Sequence, residues 1–74
     1  MDKATLLTKL AQVRRRAEAA HLETVVHSAL VTRLEKEGRD TSAAKIQLNN
    51  WKMKEQRLLL EMNWVLDDLD EAGK

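Results

Sequence analysis

Along the second half of the chain, apolar residues recur at alternating spacings of four and three. Ala44, Leu48, Trp51, Leu58, Met62, Val65 and Leu69 make one seam, interrupted only by Glu55. Residues spaced this way return to one side of an α-helix, so the pattern is a heptad repeat. Ile46, Met53, Leu60 and Trp64 fall on nearly the opposite side. One neighbouring helix can cover one of these stripes but not both, and the second calls for a further partner.

The first half carries two stripes in succession. Leu6, Leu10, Val13, Ala17 and Ala20 share one; Leu22, Val25, Val26, Ala29, Leu30 and Leu34 form a broader one, rotated well away from it. Supercoiling moves a seam by only about 20° per heptad, so the rotation implies different neighbours along the helix. The small residues Ala17, Ala19 and Ala20 would permit a close helix approach at that level.

Between the two periodic segments stands EGRDTSAAK, in a chain with no proline and two glycines. Gly38 suits the left-handed position that closes a helix. Asp40, Thr41 and Ser42 can all accept hydrogen bonds from the free amides that open the next helix, Asp40 or Thr41 being better placed. Asp2 is a candidate cap for the first helix, and Gly73 can close the second. The pattern therefore predicts an all-α fold in one domain over residues 1–74: helix 1 over about 3–37, a turn at 38–41, and helix 2 over about 42–72. A linker this short forces long helices to fold back antiparallel, so the fold class is a helical hairpin. A hairpin has no enclosed core. Two of them packed together make a four-helix bundle, and a two-fold dimer is the commonest closed arrangement.

Charge agrees with this folding. Residues 1–17 hold five positive side chains and one negative, and residues 58–74 hold one and five. Residues 18–37 hold two positive and four negative, and residues 38–57 hold five and two. Folding at Gly38 sets segments of opposite sign side by side, which favours this register over slipped ones.

The chain has no cysteine, which excludes disulfides and thiolate metal sites. Its longest apolar runs are three residues, such as Leu58-Leu59-Leu60, and Met1–Leu10 lacks a signal-like apolar core. No membrane association and a cytoplasmic location are expected.

The stretch LVTRLEKEGRDTSAAKIQL resembles small uncharacterised proteobacterial helical-hairpin proteins, in which Leu-rich helices meet at a Gly-[His or Arg]-Asp-Thr-x-x-Ala turn. The matching residues are Leu34, Gly38, Arg39, Asp40, Thr41 and Ala44, with His21 and Trp51 similarly placed. The resemblance implies the hairpin fold and carries no site residues. In shape alone the hairpin is also similar to the RNA-binding plasmid regulator Rop, without a shared motif.

Three features could carry chemistry. Arg14, Arg15 and Arg16 could touch phosphates, as clustered arginines do in nucleic-acid binders. Consecutive helical residues point about 100° apart, however, so they form no flat patch. The acidic Asp67, Asp68, Asp70 and Glu71 should lie alongside and neutralise them. Glu18 and His21 have the Glu-x-x-His spacing of carboxylate-bridged metal bundles. Counting residues from the turn puts Glu55 opposite about Thr24, nearly two turns away, while Glu61 points off the seam, so no metal site is expected. Glu55 itself reads as a polar seam residue that hydrogen-bonds to Thr24, His21 or His27 and fixes register. His27 reads as a satisfied polar residue at the stripe's edge.

No catalytic constellation or cofactor-binding motif is present, and a thin hairpin offers no deep pocket. The chain thus reads as a non-enzymatic interaction module that self-associates, a dimer ranking first, with a protein partner as an additional possibility. Ile46, Met53, Leu60 and Trp64 are the expected interface, with Leu6, Leu10 and Val13 as the fallback stripe and Gly38, Asp40 and Thr41 as turn and capping residues. The alternative is a small nucleic-acid-binding regulator that uses the bundle surface.

Overall fold

The computed structural model describes residues 2–73 and contains two helices, α1 (Lys3–Lys36) and α2 (Ser42–Ala72). They lie against each other along their length in a rod of 56 × 14 × 13 Å. Among the described residues there is no strand, and no helix is long and apolar enough to cross a membrane. The fold is an all-α helical hairpin.

Local chemistry accounts for three of the four helix ends. Asp2 opens α1, its carboxylate accepting a 2.7 Å hydrogen bond from the Thr5 amide. That bond holds the Asp2 carboxyl below its ordinary value. At the far end Gly38 takes φ +71°. The Arg39 amide then donates to the Leu34 carbonyl (2.9 Å) and the Gly38 amide to that of Glu35 (3.1 Å). This pair of bonds is the Schellman closure.

The start of α2 resolves which of three capping residues acts. Thr41 occupies the cap position, yet its side chain makes no capping bond. Asp40 does the work, accepting from the Ser42 amide (3.0 Å) and hydroxyl (2.8 Å), and these bonds hold its carboxyl below the ordinary carboxylate range. Gly73 ends α2 in right-handed geometry, φ −82°. Its freedom to adopt positive φ is not used there, contrary to the expectation of a glycine closure.

Between the helices lie Leu6, Val13, Ala17, Ala20 and Val31 of α1 with Leu58 and Val65 of α2. Ala17, Ala20 and Leu58 form the central contact, with Trp51 packed against it. Ala19 is exposed, so two of the three small residues serve the close approach. The continuation of α1 toward the turn uses Thr24, His27, Val31 and Leu34, which are buried or half-buried, while Leu22, Val25, Val26 and Leu30 stay outside. Apart from Leu34, the rotated second stripe of α1 therefore faces away from α2.

Candidate functional site

Besides the outward stripe of α1 through Val25, Val26 and Leu30, two apolar surfaces stand out among the described residues. The first is the stripe on the back of α2: Ile46 and Trp64 are each 64% exposed, Met53 55% and Leu60 54%. These four are the residues that the sequence pattern marks for an interface. Leu6 and Val13, by contrast, are almost fully buried within the hairpin, and Leu10 is half-buried. They hold the two helices together.

The second surface is a groove of about 610 Å³ where both helices contribute one flank. Its apolar lining is Ala17 and Leu22 from α1 with Leu59, Met62 and Leu66 from α2. Its polar lining is Arg14, Glu18, His21 and Glu55. It is an open groove rather than an enclosed pocket. It arises because small Ala17 brings the helices close while longer side chains stand up on either side.

Within this groove His21 Nδ1 lies 3.2 Å from Oε2 and 3.4 Å from Oε1 of Glu55. Of the three partners expected for Glu55, His21 is the one it meets. His27 faces Trp51, ring centroids 6.1 Å apart, which sets the register. From that level Glu55 stands only about two residues, or ~3 Å, from His21 along the axis. A glutamate side chain spans that gap. Glu18 shares the groove, but among the described residues no cluster of three or more His, Cys, Asp or Glu could hold a metal ion.

His27 is satisfied in another way. Its Nδ1 donates to the Glu23 carbonyl at 2.7 Å, and its ring lies on one side of Trp51. Lys54 Nζ sits 4.9 Å from the Trp51 ring centre, a cation–π contact. Trp51 is thus a structural residue of the seam, unlike the exposed Trp64.

The arginine cluster splays apart as helical geometry requires. Arg14 lines the groove, and Arg16 lines the opposite face beside Trp51 and Lys54. No ion pair among the described residues joins them to the acidic end of α2. Ion pairs among the described residues join His21–Glu55, His27–Glu23, Arg33–Glu37, Arg39–Glu37 and Lys45–Glu35, and none involves Arg14, Arg15 or Arg16. Lys45–Glu35, at 3.6 Å, crosses between the helices near the turn, where the segment charges are opposite.

No protein-family model, no curated protein and no solved structure matches the chain. The functional reading therefore rests on these surfaces.

Proposed function

We propose that this chain is a non-enzymatic interaction module whose hairpins pair, through helix packing, into a four-helix bundle. One observation carries the reading. Among the described residues, eleven large hydrophobic side chains are at least 40% exposed, against seven buried hydrophobic residues. A fold that leaves more large apolar groups outside than in is incomplete as a lone unit. Area supports the same reading. A compact protein of 8.5 kDa exposes about 4,700 Å², whereas this chain exposes 5768 Å². The excess of about 1,100 Å² exceeds the roughly 800 Å² that each partner buries in a standard interface.

The remaining exposed apolar surface also leaves room for a protein partner once a dimer has covered one face, by packing a helix against another. The absence of a catalytic constellation in the sequence supports the non-enzymatic part of the reading. The splayed arginines argue against a phosphate-binding face, and the interaction reading ranks above nucleic-acid binding for that reason.

Absolute mass by multi-angle light scattering, across a wide concentration range, tests the proposal. The expected result is twice the 8.5 kDa chain mass. A chain that stays monomeric at every concentration would refute self-association. A gel shift with mixed RNA and DNA that is tight, steeply salt-dependent and lost on neutralising Arg14–Arg16 would favour the nucleic-acid regulator instead.

A further inference from the structure

The back stripe of α2 and the His21–Glu55 groove are both candidates for the surface that meets a second copy, and they differ in construction. Ile46, Met53, Leu60 and Trp64 all come from one helix, so they form a ridge. The groove draws Leu22 from α1 and Leu59, Met62 and Leu66 from α2, so it is a two-helix face with a concavity along its centre. A four-helix bundle is made by joining two-helix faces, because each helix must contact helices of the partner.

We infer that the groove face bearing His21 and Glu55 is the face covered by a second copy of this chain. The inference rests on the self-association reading above and assigns its surface. Two features of the groove and one of the whole chain favour a copy of the same chain as the occupant. The first is its position. Its lining, from Arg14 to Leu22 on α1 and from Glu55 to Leu66 on α2, lies close to the middle of both helices. A two-fold axis through a central groove lays the copies alongside each other over nearly their full length, which an off-centre patch would not do.

The second is charge. The groove holds Arg14 and His21 with Glu18 and Glu55, so both signs are present on one surface. An isologous contact needs such a self-complementary set, since each group meets the partner's version of the same face. A groove built for an acidic or a basic peptide would carry one sign. The third is area: the chain's surplus of exposed surface is of the size that one standard dimer interface removes. In that dimer the His21–Glu55 pair lies at the seam, a polar contact within an apolar face that penalises slipped pairings.

The test pairs a mass measurement with thiol protection, using the conservative variants Leu59→Cys in the groove and Met53→Cys on the back stripe. The parent chain has no cysteine, so each variant reports from one position. Light scattering first establishes whether the variants dimerise like the parent. The rate of labelling by a maleimide dye is then followed as concentration rises through the dimerisation range. The expected result is at least tenfold slower labelling at Leu59→Cys and an unchanged rate at Met53→Cys. Protection at Met53→Cys but not at Leu59→Cys would move the seam to the back stripe. A dimeric parent with neither position protected would place it elsewhere. Either outcome overturns this inference while leaving self-association standing; a parent that never dimerises overturns both.

Discussion

His21 and Glu55, thirty-four residues apart in sequence, meet at 3.2 Å across the hairpin. The contact joins a largely exposed imidazole (side chain 63% accessible) to a mostly covered carboxylate (20%). Exposure on one side keeps the pair well hydrated, so its attraction is screened. A double-mutant cycle with His21→Ala and Glu55→Ala, read by urea melts of dilute protein, should give a coupling below about 1 kcal/mol. A coupling well above that would mean the pair is already desolvated in the single hairpin.

Gly38 offers a cleaner test of backbone conformation. Nothing lies within 4 Å of where a Cβ would stand, so added bulk meets no neighbour and only φ +71° is strained. Gly38→Ala should therefore destabilise by about 1–2 kcal/mol, the usual cost of left-handed backbone for an L-residue. Gly38→Val should cost more, because branching at Cβ worsens the same clash. Asn tolerates this conformation, so Gly38→Asn should fall between Ala and the parent in melting temperature. An Ala variant that melts with the parent would show that the turn relaxes to negative φ.

Asp40 should give the opening of α2 a dependence on pH. Its carboxyl is held below the ordinary 3.8 by the bonds from Ser42. A lowered folded-state value means that the charged cap stabilises the fold above that ordinary value, and that the contribution fades as pH falls through the folded-state value. Asp40→Asn keeps an accepting oxygen without the charge. The stability difference between parent and Asp40→Asn should hold steady from neutral pH to about 4 and shrink below that. Urea melts of both proteins at neutral and acid pH measure it. A difference that grows on acidification would contradict the assignment of Asp40 as the capping group.

Ala20 is 2% exposed and lies in the central contact with Ala17 and Leu58. Ala20→Leu would force the helices apart where they approach closely, at a cost of about 1–3 kcal/mol. The neighbouring Ala19→Leu, on the exposed side, should stay within about 0.5 kcal/mol. Thermal melts followed by circular dichroism distinguish them. Equal effects at the two positions would show that the helices are not held at the spacing of the structure.

The helices, the turn between them and the stripe along the seam of α2 were legible in the sequence. Each depends on groups a few residues apart: the Asp2 carboxylate reaches Thr5, the Arg39 amide reaches Leu34, and Leu58 and Val65 recur on one face. Such interactions act within about two helical turns, and the chain order itself states which groups can meet. The choice among Asp40, Thr41 and Ser42 was less legible, because all three have an accepting oxygen and only the path of the turn aims one of them. The groove was not legible at all. Leu22 belongs to the second stripe of α1, and Leu66 falls in neither stripe of α2. They line one face because the rotation of each helix about its axis, set by the fit of Ala17 and Ala20 against Leu58, turns both flanks the same way. The sequence leaves Thr24, His21 and His27 as partners for Glu55, and that fit selects His21. Periodicity states what each helix has to offer; the packing between the helices decides which offerings share a surface.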